Sequence, residues 1–198
     1  MIKSKLETET LKTGTVVTTY LEMRAPAASR RQKSQVSGQK FRVRELKEPN
    51  WVFNRDMYFR VGENWKWIDK RPWTDEQWKE YANGTNLRAF AGHYEDEVAG
   101  YFELRRSHNN LQPRVQAGLA VPAATEDEIE IAYFGLLPKF IGRGLGSALL
   151  TSAIENAWEW SPTPARVWVH TCNRDHPSAL NNYKARGFRV YKVERENF

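Results

Sequence analysis

The stretch Phe140-Ile-Gly-Arg-Gly-Leu-Gly-Ser-Ala-Leu-Leu150 decides how this 198-residue chain folds. It joins a strand-like run, Glu128-Ile-Glu-Ile-Ala-Tyr-Phe134, to a helix-like run that reaches Trp160. Its three glycines let the backbone turn sharply and let a ligand approach the main chain. The first amides of a helix lack internal partners, and the helix dipole is positive at that end. The junction is therefore predicted to bind a phosphate or pyrophosphate group.

Two well-known phosphate loops do not fit this stretch. A Walker loop needs Lys followed by Ser or Thr after its last glycine, whereas Ser147-Ala148 follows Gly146. The dinucleotide fingerprint has the spacing G-x-G-x-x-G, and the spacing here is G-x-G-x-G. A glycine-rich turn between a strand and a helix, with no ligand, is the remaining alternative.

The composition indicates a globular protein. A hydrophobic content of 40% and an aromatic content of 13% are enough to build a core. No apolar run approaches the ~20 residues of a membrane span, and the first residues lack the apolar core of a signal peptide. The single cysteine, Cys172, excludes an intramolecular disulfide framework. We therefore expect a cytoplasmic protein without membrane contact.

The net charge of +6 comes from one segment. The rest of the chain is close to neutral. Residues 24–44 contain no acidic side chain and seven basic ones: Arg24, Arg30, Arg31, Lys33, Lys40, Arg42 and Arg44. Ala, Ser and Gln are frequent in residues 24–40, which predicts a basic loop. Such a loop can contact the phosphates of a cofactor or of a nucleic acid. A solvated loop is the favoured interpretation, and nucleic-acid binding is the alternative.

Hydrophobic periodicity and turn residues predict a single α+β domain over 1–198, with a flexible leader at 1–13. Predicted strands cover 16–23, 41–46, 88–94, 97–104, 128–137, 166–172 and 188–193. Predicted helices cover 49–61, 74–81 and 144–160, with a fourth between Pro177 and Gly187. Thr74 and Gln77 have the spacing of a capping box.

Two connections matter for the topology. Residues 128–172 form a strand–helix–strand unit, whose length suits a right-handed parallel crossover. Residues 107–127 are predicted to be a long loop, with a lid as one interpretation. Gly135, inside a predicted strand, indicates a bulge or a close approach of another segment.

The residues at both ends of the crossover resemble those of the GNAT N-acetyltransferase superfamily. Its acetyl-CoA loop has the pattern Gln/Arg-x-x-Gly-x-Gly/Ala, and Gly144 and Gly146 occupy the two small-residue positions. Its downstream pattern, Asn-x-x-Ala-x-x-x-Tyr-x-x-x-Gly-Phe, is matched in register by Ala179, Tyr183 and Gly187-Phe188. The resemblance covers residues 85–193. It implies a mixed, mostly antiparallel sheet flanked by helices.

The resemblance also implies acetyl-CoA as co-substrate. Its pyrophosphate would be held by the backbone amides of Ile141, Gly142, Arg143, Gly144, Leu145, Gly146 and Ser147, with the Arg143 side chain as a charged supplement. Leu136 is a candidate main-chain contact for the pantetheine arm. The chain departs from the pattern at two positions: Ile141 replaces Gln or Arg, and His176 replaces Asn. We expect Asn173 to supply the polar contact that His176 leaves in question.

The chemistry requires a base. A lysine-like amine has a pKa of about 10.4 and arrives protonated, so a base must remove a proton before the amine can attack. The resemblance implies a glutamate on the strand before the loop, and Glu130 lies at the matching offset. Strand alternation predicts two faces: Glu128, Glu130, Ala132 and Phe134 on one, and Ile129, Ile131 and Tyr133 on the other.

Three carboxylates compete for the role of base. Glu128 is predicted to share a face with Glu130, and two neighbouring carboxylates raise each other's pKa. Glu103, in the predicted hairpin, is a weaker candidate. The alternative is that Glu128 and Glu130 are ordinary solvent-facing side chains.

Tyr183 occupies the position of the superfamily's general acid, which protonates the leaving thiolate. A buried structural tyrosine is the competing interpretation. His170, Cys172, Asp175 and His176 match no standard zinc spacing, and we predict no metal site.

The expected activity is acetyl transfer to a primary amine by direct attack in a ternary complex. The acceptor is a small molecule or a peptide, and the aromatic residues between Trp51 and Trp78 are expected to build a core and to wall the acceptor site. A non-catalytic acyl-CoA-binding module is the alternative. The sequence does not determine the oligomeric state, and a homodimer stays open.

Overall fold

The computed structural model describes residues 14–26, 40–110, 114–116, 119–121 and 125–197. The predicted leader at 1–13 and most of the predicted basic loop lie outside the described residues. Within them, no helix is long and apolar enough to cross a membrane.

Strands and helices follow the predicted order. The strands are β1 (Thr15–Met23), β2 (Phe41–Glu45), β3 (Leu87–Tyr94), β4 (Glu97–Asn110), β5 (Arg114–Gln116), β6 (Leu119–Val121), β7 (Thr125–Leu136), β8 (Arg166–Cys172) and β9 (Arg189–Asn197). The helices are α1 (Trp51–Gly62), α2 (Asp75–Ala82), α3 (Leu145–Glu159) and α4 (Ala179–Ala185).

Seven strands form one sheet in the order β2-β3-β4-β7-β8-β1-β9. Its pairs are antiparallel except for β7 and β8, which are parallel and joined through α3. The α+β class, the mostly antiparallel sheet flanked by helices and the parallel crossover are confirmed. Strands β5 and β6 form a separate two-stranded sheet.

The prediction of a long loop over 107–127 is wrong. Strand β4 continues to Asn110 and β7 begins at Thr125, and these two ends pair with each other. The chain between them contains β5 and β6, which form an antiparallel pair. The two prolines of this region suggested a loop, but the described residues on either side form a hairpin extension of the main sheet.

Two hydrophobic clusters cover the two faces of the sheet. The first packs α3 and α4 against one face, through residues such as Leu149, Ile129 and Phe188. The second packs α1 against the other face, through residues such as Met57 and Tyr101. Local signals set the ends of these helices: Asn50 caps α1, and Thr74 and Gln77 form the predicted capping box of α2.

A β-bulge at Ala132 changes which face the end of β7 presents. Glu103 of β4 lies opposite Tyr133, and Leu104 lies opposite Ile131, so Ala132 is the extra residue. Tyr133 therefore lies on the face of Glu130, and Phe134 packs in the cluster of Ile131. The predicted faces were wrong beyond residue 131, because simple alternation fails at a bulge.

Gly135 is needed for a close approach and is not the bulge itself. A Cβ atom at this position would overlap Cγ1 of Val61 in α1. The absence of a side chain therefore lets α1 lie directly on β7.

Strands β7 and β8 pair only over a short stretch and then separate. Their register joins Glu128–Glu130 to Arg166–Trp168. Beyond Glu130, β7 continues to pair with β4, and β8 continues to pair with β1. A wedge-shaped gap therefore opens between two strands that are each supported on their outer side.

Arg166 holds together the closed end of this wedge. Its guanidinium donates to Glu22 of β1 (3.0 Å) and to Glu128 of β7 (2.7 Å). Only 14% of the Arg166 side chain is exposed, and Glu128 is buried. Burial acts to raise the pKa of Glu22, but its bonds with Arg24 and Arg166 outweigh burial and hold that pKa below its ordinary value.

We expect Arg166→Ala to lower the free energy of unfolding by about 3 kcal/mol, because it leaves buried carboxylates without their cation. Urea denaturation at pH 7 measures this loss. The loss should shrink in acid, since Glu22 contributes stability only while it is ionised, and that contribution disappears as the pH falls through its lowered pKa.

The control is Arg88→Ala, which removes a more exposed pair with Glu45. Exposed ion pairs contribute at most about 1 kcal/mol. Equal losses in the two variants at pH 7 would contradict a special role for Arg166.

Candidate functional site

A cavity of about 770 Å³ fills the wedge between β7 and β8. Its walls are the diverging ends of these strands, the segment 65–70 after α1, the glycine loop before α3, and α4. The predicted site residues that line it are Glu130, Leu136, Ile141, Gly142, Gly144, Gly146, Ser147, His176 and Tyr183. The structure thus brings the loop, the candidate base and the candidate acid to one cavity.

The glycine loop needs glycine at two positions for conformational reasons. Gly142 has φ 83° and Gly144 has φ 75°, in the left-handed region that other residues rarely adopt. An added Cβ would meet nothing within 4 Å at either position. Backbone conformation, and not space, therefore selects glycine here.

The loop lines the cavity through Gly142, Gly144 and Gly146. Gly144 is the N-cap of α3 and provides no side-chain cap. The amide of Ile141 already donates to the Pro138 carbonyl (3.2 Å), and the amide of Ser147 donates to Gly144 (3.1 Å). The Ile141 amide, which was expected to bind the pyrophosphate, is thus already engaged in a backbone hydrogen bond. Residues 142–146 keep the α3 end of the loop open for an anion.

Arg186, which the sequence did not single out as a site residue, lies against the first turn of α3. Its guanidinium donates to the Ser147 carbonyl (3.0 Å), to the Ser147 hydroxyl, and to the Asn182 carbonyl (3.1 Å). A cation is disfavoured beside the positive end of a helix dipole. Arg186 does not line the cavity itself, and its hydrogen bonds tie the end of α4 to the first turn of α3.

Tyr183 lies on α4, with 6% of its surface exposed. Its ring packs edge-on against Phe188 (5.9 Å between centroids) and Phe134 (6.3 Å). Within the described part of the chain its hydroxyl makes no hydrogen bond. Burial, with a contribution from Asp175, raises the pKa of Tyr183. The phenol is therefore protonated at neutral pH and available to a ligand.

Glu130 lies on the same wall, and the side chains around it differ from those expected. Arg105, directly opposite on β4, donates to Oε2 of Glu130 through Nε (3.0 Å) and a terminal nitrogen. His170 of β8 places Nδ1 3.5 Å from Oε1. Burial acts to raise the pKa of Glu130, but His170 and Arg105 outweigh it, so that pKa is lowered. We expected Glu128 to raise the pKa of Glu130, but the neighbouring His170 and Arg105 determine that pKa instead.

The other two candidate carboxylates do not line the cavity. Glu128 is bound to Arg166 at the closed end of the wedge. Glu103 is buried between α1 and α2, where it accepts hydrogen bonds from Asn54 (2.7 Å) and Tyr81. Burial raises the pKa of Glu103. Of the three, Glu130 alone has access to a ligand in this cavity.

Asp69 supplies an exposed carboxylate at the opposite wall. It accepts hydrogen bonds from the hydroxyls of Tyr58 (2.7 Å) and Tyr133. The Trp67 ring lies 5.1 Å from the Tyr133 ring beside it. The aromatic region therefore divides between a core and a cavity wall, as expected, with rings such as Trp78 fully buried.

Three residues that were predicted to contact the cofactor do not line the cavity: Asn173, Arg143 and Leu145. The amide side chain of Asn173 binds β1 instead, donating to the Thr15 carbonyl (3.0 Å) and accepting from the Val17 amide (3.1 Å). The Arg143 guanidinium lies 5.5 Å from the ring of Phe140.

Leu145 is fully buried in the second cluster, so only its backbone can serve a ligand. His176 does line the cavity and packs edge-on against Trp65, with 5.2 Å between ring centroids. In the described ranges, no three His, Cys, Asp or Glu side chains are close enough to hold a metal ion.

These features define a cavity whose walls carry the N-terminus of a helix, a phenol and a carboxylate. A family model described as the Acetyltransferase (GNAT) family matches residues 46–188. Because this match covers well over half of the chain, the protein belongs to the GNAT acetyltransferase family. Comparison with curated protein sequences gives no match.

Solved structures show the same fold. A functionally unknown conserved protein from Staphylococcus epidermidis ATCC 12228 aligns with 95% of this chain (14% identity, TM-score 0.52), and the chain spans 64% of that protein. The aminoglycoside acetyltransferase meta-AAC0020 from an uncultured soil metagenomic sample aligns over 75% of this chain and 88% of its own (15% identity, TM-score 0.55). The aminoglycoside N-acetyltransferase AAC(6')-Iy in complex with CoA aligns over 81% and 94% (14% identity, TM-score 0.51). At such identities the similarity shows the fold alone.

The cavity fits an acyl-CoA. The open end of α3 suits a pyrophosphate. The inner edges of β7 and β8, which do not pair with each other beyond Glu130, suit the amides of a pantetheine arm. Family membership supports acyl-CoA as the donor in general.

We expect Gly144→Ala to weaken acetyl-CoA binding about tenfold, because alanine at this positive φ strains the loop by roughly 1–3 kcal/mol and moves its amides. Isothermal titration calorimetry measures the change. Gly187→Ala is the matched control: Gly187 also has a positive φ (93°) but does not line the cavity. Both variants should lose thermal stability, and only Gly144→Ala should lose affinity. Equal affinities in the two variants would contradict a binding role for the loop.

Proposed function

We propose that this protein is an acetyl-CoA-dependent N-acetyltransferase that transfers the acetyl group to a primary amine by direct attack within a ternary complex. The observation that carries this proposal is the shared cavity: it joins the glycine loop of α3, Tyr183 and Glu130. An open anion site, a phenol and a carboxylate in one cavity are features that suit acetyl transfer to an amine. Residues 1–198 act as one domain in this proposal.

In the donor half of the cavity, different residues bind different parts of acetyl-CoA. The amides of residues 142–146 hold the pyrophosphate, and Leu136 offers its main chain to the pantetheine arm. His176 lines the same half. Bound acetyl-CoA supplies a thioester carbon for attack and a thiolate leaving group. Tyr183 then serves as the proton donor to the sulfur, because its raised pKa keeps the phenol protonated.

Tyr183→Phe should lower kcat about 100-fold, since a positioned general acid contributes at least that much. The Kd for acetyl-CoA should change less than about threefold, because phenylalanine preserves the packing against Phe134 and Phe188. Stopped-flow or steady-state detection of free CoA, together with calorimetry, gives both numbers. Unchanged turnover would remove Tyr183 from the mechanism.

The acceptor half favours a positively charged amine. Asp69 is exposed on the cavity wall, held by two tyrosine hydroxyls, and it pairs with no cation among the described residues. Lys70 follows it in sequence and also lines the cavity, but its ammonium packs over the rings of Trp73 (3.6 Å) and Tyr133 (5.4 Å), and burial lowers its pKa. A carboxylate beside the Trp67 and Tyr133 rings suits an ammonium group. Aminoglycoside acetyltransferases among the structural neighbours agree with an acceptor of this charge.

Asp69→Asn should raise the acceptor KM about tenfold and leave kcat within about threefold, because the side chain binds the acceptor in the ground and transition states alike. The asparagine can accept from one tyrosine hydroxyl through Oδ1 and donate to the other through Nδ2, so the side chain stays held. An unchanged acceptor KM would exclude Asp69 from acceptor binding. The KM for acetyl-CoA is the internal control.

An acceptor screen tests the activity itself. The protein with acetyl-CoA is offered spermidine, sisomicin, lysine and a short peptide with a free N-terminus, and CoA release is recorded. Release with at least one amine supports the proposal. Thermal stabilisation by acetyl-CoA, without release in any case, would favour the alternative of a non-catalytic acyl-CoA-binding module.

A further inference from the structure

His170 lies beside the buried Glu130 on the wall of the cavity. It lies on β8, just beyond the last residue that pairs with β7. Its Nδ1 faces Oε1 of Glu130 at 3.5 Å, and 44% of its side chain is exposed. It lines the cavity together with Glu130. Because Nδ1 faces a carboxylate, the proton of the neutral ring belongs on Nδ1, and Nε2 is left as the acceptor.

Glu130 itself is badly placed to accept a proton directly. Only 4% of its side chain is exposed. Oε2 accepts two hydrogen bonds from Arg105, and Oε1 faces His170. A carboxylate with both oxygens engaged is a weak acceptor, and its lowered pKa points the same way. The arrangement is better suited to orienting the imidazole than to abstracting a proton.

We propose that Nε2 of His170 is the atom that removes the proton from the acceptor amine, and that Glu130 is the residue that positions His170. This inference rests on the proposed function and assigns its base. An imidazole nitrogen with a free lone pair is the commonest general base in enzymes. Arg105 anchors Glu130 and thereby fixes the imidazole one step further out.

The proton balance closes without any further reactant. Nε2 takes one proton from the ammonium group, and the neutral amine attacks the thioester carbon. The N–C bond forms as the C–S bond breaks, and the sulfur receives its proton from Tyr183. The second proton of the amine is released as the amide forms and restores the tyrosine, while Nε2 returns its proton to solvent.

The charged and titratable groups that face His170 come from β1, β4, β7 and β9. Glu130 and, behind it, Arg105 face the ring from β7 and β4. Tyr20 faces it from β1, with 5.7 Å between ring centroids, and Lys192 of β9 lies over the Tyr20 ring. A hydrogen bond with Glu194, together with burial, raises the pKa of Tyr20 to about 12. Tyr20 therefore stays neutral at physiological pH.

The test compares four variants with acetyl-CoA and the amine that gives the fastest CoA release in the acceptor screen. His170→Ala should lower kcat about 100-fold, abolish the acidic limb of the kcat/KM profile, and regain about tenfold with added imidazole. Glu130→Gln should lower kcat about tenfold, because a poorly oriented base still works. The double variant should be no slower than His170→Ala, since Glu130 acts through His170.

The matched control is His108→Ala. His108 is exposed, pairs with Asp127 and does not line the cavity. It should keep the native kcat, pH profile and insensitivity to imidazole. Thermal stabilisation by acetyl-CoA is measured on every variant, so that a variant that fails to fold is recognised. If His170→Ala does not fold, His170→Gln, which preserves the size of the side chain, replaces it in the kinetic comparison.

The opposite pattern overturns the inference. If Glu130 is itself the base, Glu130→Gln loses as much as His170→Ala, and imidazole does not restore the latter. If His170 plays no part, His170→Ala keeps the native rate and acidic limb while the native protein still releases CoA, and the proposed function survives. If none of the amines in the screen causes the native protein to release CoA, the proposed function fails and this inference fails with it.

Discussion

The separation of β7 from β8 beyond Glu130 is the constraint on which the site depends. The two strands pair over only three positions, and the bulge at Ala132 follows directly. A bulge bends its strand and increases its twist, so β7 turns away while β4 keeps it paired on the outer side. The unpaired inner edges become the walls of the cavity. The sheet thus supplies both the frame and the opening.

Charged side chains on the α1 face make this opening stable and reactive. Arg166 neutralises Glu22 and Glu128 where the strands still touch, and Arg105 neutralises Glu130 where they begin to part. Removing either cation would leave a carboxylate in a region from which water is largely excluded. The pairs of Arg166 hold the wedge closed at one end, and the pair of Arg105 with Glu130 orients the imidazole proposed as the base.

Residues close together in the chain could be assigned from the sequence, and residues that meet through strand register could not. The glycine loop, the capping box of Thr74 and the position of Tyr183 depend on spacings of a few residues, and the structure places them as predicted. The face of Tyr133 was wrong, because one bulge reverses alternation. Arg105 and Asp69 carried no local signal: Arg105 meets Glu130 only because β4 pairs with β7 in that register.

By itself, the sequence determined the family pattern, the order of most elements and the glycine loop before α3, since glycine conformation and helix ends are local properties of the chain. The tertiary structure alone decided which carboxylate reaches the cavity and what lies beside it. Glu103, Glu128 and Glu130 are equivalent as residue types, yet one is buried between helices, one is bound by Arg166, and one faces His170. Their difference is one of environment, and environment is created by distant segments that only folding brings together.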